Sequence, residues 1–472
     1  MQSSKVFITS LFLSVLMIFF SCNEDEITAE MIEEPSTPLS FPDAIPATLQ
    51  KSGDANAGWD FLRFGNYVGS GLPLEVYTSF FPADTENLLG RDGDNATLPP
   101  SFVAFSIGDK RVVGGTCFTC HGSKLDGEYI PGLGNSFSDY TNDQSQTFGL
   151  LNTLLINTYG AESEEYQNAI GLIQSTQAAG PFIITDFKGV NPAFDLERAA
   201  VAHRNLDFTW SETPLFTPPS GSVGSDVPAW WLLKKKNALY YTGLGRGDFT
   251  KLLMQTTVVG IKDSTEARVI NDSFNDVLAY LQSLEAPKYT RSVNQELVTK
   301  GLPIYKVNCE RCHGSYEAED AFYPNRLIET NIVGTDPVYA DRFLIDNELT
   351  DWFNNGWFGT FGTNASVEPS RAYIAPPLDG VWATAPYLHN GSVPNLYTLL
   401  NSTERPVFWE RNFNDSTYDH EKIGWPYQER TSANNISTYN TTLSGYGNQG
   451  HIYGDNLSEE DRIALMEYLK TL

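Results

Sequence analysis

The chain has 472 residues, with 58 Asp or Glu against 31 Lys or Arg, a formal net charge of −27. Such an acidic excess leaves no basic stripe to displace phosphate counterions and so excludes a nucleic-acid partner. A hydrophobic share of 41%, with 13% aromatics, excludes a disordered acidic tail and suffices for two or three packed domains.

In chain order, the first element is the apolar run from Val6 to Phe20, preceded by Lys5 and followed by Ser21 and Cys22. It is too short to cross a ~30 Å hydrocarbon core comfortably and has no stop-transfer charges, so residues 1–21 read as a signal peptide. A small residue before Cys22 resembles a bacterial lipobox. That makes Cys22 the lipidated start of the mature chain and places it in the cell envelope, at the outer membrane or cell surface, with the periplasmic side also open. Residues 22–55, rich in Glu, Pro, Ser and Thr, read as a flexible acidic tether.

Removing Cys22 leaves four cysteines in two runs of one grammar, Cys117-Phe118-Thr119-Cys120-His121 and Cys309-Glu310-Arg311-Cys312-His313. CxxCH is the attachment signal of c-type haem: two thioethers hold the porphyrin edge, and the adjacent histidine reaches the iron. A single zinc site requires knuckles ~15–20 residues apart, far closer than Cys117 and Cys309. Plain disulfides would leave unexplained why two of six histidines follow the two pairs. The cofactors expected are two covalently bound haem c groups.

The stretch from 161 to 216, with turn signals at Gly180-Pro181 and Pro218-Pro219, reads as an elaborated loop over the first haem, and strand is expected only in short runs such as 182–185. Val277-Leu278-Ala279-Tyr280-Leu281 and Leu465-Met466-Glu467-Tyr468-Leu469 read as matching terminal helices, the second starting at Ser458 with Asp461 completing a capping box. The spans from each CxxCH motif to its helix end are nearly equal. The expected fold is therefore mostly α, with two cytochrome-c-like haem domains, residues 56–286 and 287–472, related by internal repeat and joined through long irregular loops. Pro131 and Pro324 follow the two motifs, where a proline carbonyl is expected to accept the proximal imidazole N–H. Asn237–Gly243 and Ala385–Gly391 are a second matched pair; aligned on the glycine, Tyr241 stands where His389 does.

Function then depends on the sixth iron position. The second half carries about 40 extra residues, with His420 and His451, before its last helix. His451 is the expected distal ligand of the second haem, with His389 as the alternative and His420 read as a surface residue. The first half has only His203 and Met254 as donors, and both fit ordinary packing as well. Its haem is expected to be open. One reactive haem and one electron-transfer haem follow from this asymmetry.

The two CxxCH motifs together with Ala385-Pro386-Tyr387-Leu388-His389-Asn390-Gly391-Ser392-Val393-Pro394 resemble the di-haem cytochrome c peroxidase superfamily, most closely its branch containing the bacterial rubber oxygenases. The resemblance, from about residue 57 onward, implies a two-domain helical fold with the haems across the interface. It implies that His121 holds a haem meeting peroxide or O₂, that His313 and His451 hold the second, and that His389 lies near the latter. It also implies an aromatic residue between the haems, here Tyr241 or, failing it, Trp230 or Trp231. Arg246 matches an arginine placed either to stabilise charge on a bound peroxide or to pair with a haem propionate, with Asp248 as a proton acceptor. The activity implied is that of an extracytoplasmic di-haem oxidoreductase served by a redox partner protein. The alternative is a non-catalytic electron carrier at the cell surface.

Overall fold

The computed structural model describes residues 44–218, 221–319, 321–345 and 347–472. The expected signal peptide 1–21, Cys22 and the expected tether as far as residue 43 lie outside the described residues. The end of that tether is packed: Ile45 is buried with Ala238 and Ile374, and its N–H donates to Asn325 O at 2.8 Å. Among the described residues no helix is long and apolar enough to cross a membrane.

Two helix crossings frame the molecule. The helix Ala55–Phe64 starts where the Asp54 carboxylate accepts the N–H groups of Asn56 and Ala57, and stops at Gly65. It crosses Ser264–Ser283, capped in the same manner by Asp263. The crossing is close because Gly58 has no Cβ; one added there would overlap the Asp276 carbonyl. The second pair repeats the device. Gln295–Asn308, capped by Asn294, crosses the terminal helix Glu459–Leu469 at Gly301, where an added Cβ would overlap the Ala464 carbonyl. Ser458 accepts from Asp461 N, as the capping-box spacing requires.

The expectation of a mostly α fold is overturned. The molecule is mixed α/β, about 40% helical and 13% strand. Its strands, two to six residues long, form small antiparallel sheets, some from local hairpins and others from segments remote in sequence. Leu72–Pro73 and Phe102–Ile107 flank Lys110–Gly115, which runs straight into Cys117. Gly122–Leu125 and Glu128–Pro131 form a hairpin just after His121. Leu327–Glu329 pairs with Ala372–Ile374, Gly245–Gly247 with Ala365–Val367, and Phe408–Glu410 lies between Gln428–Glu429 and Thr438–Asn440. Strands this short carry too little alternation to stand out from loop, and several, such as Leu327–Glu329 and Gly245–Gly247, have non-local partners.

The stretch from 161 to 216 is also corrected. It holds the helices Glu164–Ala179 and Ala193–Val201, and the run 182–185, where a strand was expected, is the end of the 3₁₀ turn Gly180–Phe182 and irregular chain after it. Glu164–Ala179 is hard to see as a helix because Asn168, Ser175 and Thr176 are buried along with its apolar residues, which blurs the period.

Candidate functional site

The second CxxCH motif opens into a cleft of about 1450 Å³, counting space open to solvent. Cys309, Cys312, His313 and His451 all face it, against walls that include Leu232, Ile374, Val381 and Leu465. Cys309 ends one helix and starts the single turn Glu310–His313, so both thiols and the imidazole lie on one edge. Burial pushes the Cys309 thiol up to about 12. His313 Nδ1 donates to Pro376 O at 2.8 Å, which fixes the tautomer and leaves Nε2 as a lone-pair donor. The acceptor is therefore Pro376 and not the expected Pro324. Pro376 follows the strand Ala372–Ile374, which arrives by long-range pairing.

His451 stands across from His313, with ring centroids 6.2 Å apart at an interplanar angle of 67°. That separation fits one metal between two imidazoles, each nitrogen about 2 Å from it. Burial, the neighbouring His313 and then Arg405 lower the His451 pKa to about 3, so the ring is neutral and free to ligate. The loop presenting it is clamped by Arg405, whose guanidinium donates to Asn448 O and Gly450 O at 2.6 Å, Leu399 O at 2.9 Å and His451 O at 3.1 Å. His451 N donates to Val333 O at 2.9 Å, and the residue is held at φ +46°.

The first motif is enclosed. Cys117, Cys120 and His121 are buried, and neither ring nitrogen of His121 has a protein partner. An orphaned buried imidazole fits a ligand to a group carried by the adjacent cysteines. Pro131 is bonded into the hairpin and does not take this N–H. Where His313 meets His451, His121 meets Trp230, stacked at 5.1 Å and 25°. Asn191 Nδ2 donates to Cys120 Sγ at 3.0 Å, just before the helix Ala193–Val201. That helix carries Glu197, a carboxyl pushed up to about 8 by burial, which the sequence did not single out.

The aligned turns are true counterparts in their backbone. Leu239 and Gly245 exchange hydrogen bonds as Tyr387 and Val393 do, Gly243 N donates to Tyr240 O as Gly391 N does to Leu388 O, and Tyr240 and Leu388 share φ values of +68° and +66°. Tyr241 and His389 are thus equivalent positions. Asp226 joins them: its Oδ2 accepts from Tyr241 Oη at 3.1 Å, while its N–H donates to His389 O at 2.5 Å. His389 is fully buried, both ring nitrogens lack partners, and burial holds its pKa well below the ordinary value. Its ring lies along Tyr373, a wall of the cleft, at 5.9 Å, but His389 is not itself a wall.

Trp230 and Trp231 divide between the two sites. Trp230 packs on His121, and Trp231 Nε1 donates to Asp379 O, itself in the cleft wall, at 2.8 Å. Arg246 has a buried Nη1 without a partner and lies 3.8 Å from Glu368. Asp248 is committed elsewhere, capping Phe249–Leu253 and pairing with Lys51 at 2.9 Å, which removes it as a proton acceptor. His203 donates to Ser211 O at 2.9 Å and stacks on Trp210, and Met254 is fully buried in the core; both are packing groups. His420 is buried and not at the surface, bonded to Asp126 at 2.5 Å.

The extra residues of the second half do more than deliver His451. Arg411 is buried among Phe137, Phe413 and Trp425 and donates to Ser136 O, while Tyr446 Oη accepts from Gly224 N. The insertion therefore lies across the first half as well. Among the described residues no three His, Cys, Asp or Glu side chains converge on a bare metal-ion site.

A family model described as RoxA-like, cytochrome c-like, matches residues 372–410. This segment contains Pro376, Tyr373 and the His389 turn. The match supports a cytochrome c-like segment here, with haem c and its iron as the implied cofactor. The chain is 27% identical to the uncharacterized protein y4iJ of Sinorhizobium fredii over 38% of this chain and 39% of that protein. It is 26% identical to the uncharacterized protein y4iM of the same organism, over 50% of this chain and 58% of that protein. The chain thus spans about half the length of the curated relatives it matches.

Proposed function

We propose that this chain is an extracytoplasmic, lipid-anchored di-haem c-type cytochrome oxidoreductase. Cys117, Cys120 and His121 would hold a haem supplying chemistry toward peroxide or O₂, and Cys309, Cys312, His313 and His451 would hold one supplying electron relay from a redox partner protein. The observation carrying this reading is the inequality of the two motifs: His313 faces a second imidazole at 6.2 Å, and His121 faces Trp230.

Haem supplies the redox chemistry when bound: an iron with a free position meets small oxidants, and one closed by two imidazoles passes electrons. The chain's own residues do the rest. Pro376 O holds the His313 tautomer, and Arg405 keeps His451 opposite it. Trp230 and Trp231, adjacent in sequence, link the two sites, and the Tyr241–Asp226 hydrogen bond seals the wall beside them. The unpaired Nη1 of Arg246 supplies a buried positive charge for an anionic group, a propionate or a reduced oxygen species.

The test is a resting electron paramagnetic resonance spectrum of the holo-protein with a CO titration of its reduced form. One low-spin and one high-spin iron, with about one CO bound per chain, is the expected result. Two low-spin irons that bind no CO would reduce the protein to an electron carrier.

A further inference from the structure

The first motif is enclosed: His121 is 3% exposed and Cys120 fully buried, so an organic donor at the surface does not touch it. Aromatic rings nonetheless run outward from it. Trp230 stacks on His121 at 5.1 Å; Phe118, inside the motif, contacts Trp230 at 5.6 Å and Trp59 at 5.9 Å; and Trp59 stacks on Tyr280 at 5.0 Å and 28°. Trp59 and Tyr280 are both partly solvent-exposed, on the two helices that cross at Gly58.

We infer that Trp59 and Tyr280 form a surface oxidation site, joined to the first haem through Phe118 and Trp230, at which phenol-class one-electron donors are oxidised without entering the protein. This rests on the proposed reaction of the first haem with peroxide. Phe118 is too hard to oxidise to hold a charge; it fills the gap between two indoles that can. Arg63 lies over the Trp59 ring at 5.0 Å, and a cation there resists loss of an electron from the indole. The oxidised state therefore comes to rest on Tyr280, whose hydroxyl can pass its proton to water. Tyr280 then recovers one electron and one proton from each phenol, leaving a phenoxyl radical. Two such turnovers match the two electrons and two protons that reduce one peroxide to two waters.

The holo-protein and its Trp59→Phe and Tyr280→Phe variants are treated with hydrogen peroxide and a nitroso spin trap. Adducts are then mapped by mass spectrometry of the digest, while the absorption spectrum is followed. The expected adduct is on Tyr280; Trp59→Phe lowers it at least tenfold, and Tyr280→Phe moves it to Trp59. Labelling absent from both residues, undiminished at Tyr280 in Trp59→Phe, or equal at Tyr427, a partly exposed tyrosine packed against Trp409 and outside this run of rings, while the spectrum still responds to peroxide, overturns the surface site and leaves the proposed function standing. A spectrum that ignores peroxide overturns both.

Discussion

His451 is the residue on which the inequality of the two sites turns. Its Nδ1 is buried without a hydrogen-bond partner, and the loop is held by backbone groups and Arg405. His451→Ala is therefore expected to keep the fold while opening the second site. CO binding to the reduced protein should rise from about one to about two per chain, and added imidazole should restore the low-spin signal. A merely structural role would not respond to imidazole. This residue was legible in the sequence because a histidine stood in an insertion that one half has and the other lacks. Pro376, 63 residues beyond His313, was not legible; a proline nearer the motif was the better local candidate, and only the pairing of Leu327–Glu329 with Ala372–Ile374 brings Pro376 in. Asp226 was overlooked for the same reason, since its partners at Tyr241 and His389 are brought together by folding.

Among the elements, the crossings at Gly58 and Gly301 are the most exacting contacts. Gly301→Ala would force the Gln295–Asn308 and Glu459–Leu469 helices apart, because the obstacle is the Ala464 backbone and not a flexible side chain. Overpacking of this kind costs about 1–3 kcal/mol, and a lower melting temperature by circular dichroism is expected. Terminal helices were legible because caps and period agree in them, as at Ser458 and Asp461. The sheets were not, and the mostly α expectation failed on them: a three-residue strand such as Gly245–Gly247 exists only because Ala365–Val367 arrives to pair with it.

At the scale of the whole molecule, the insertion of the second half ties the halves together through Arg411 at Ser136, His420 at Asp126 and Tyr446 at Gly224. Arg411 is central, because burial lowers its pKa to about 9 while three aromatic rings surround it. Arg411→Ala removes that packing at a cost of about 2–4 kcal/mol. The expected outcome by calorimetry is a single unfolding transition splitting into two as the halves uncouple.

Trp230 and Trp231 are consecutive in the chain, one against the buried motif and the other bonded to the wall of the cleft. One peptide unit thus spans the distance between the buried motif and the wall of the cleft. Packed surfaces slide as a protein breathes, but bond lengths do not. The backbone spacing of these two residues is set by covalent chemistry, whatever the packed surfaces around them do.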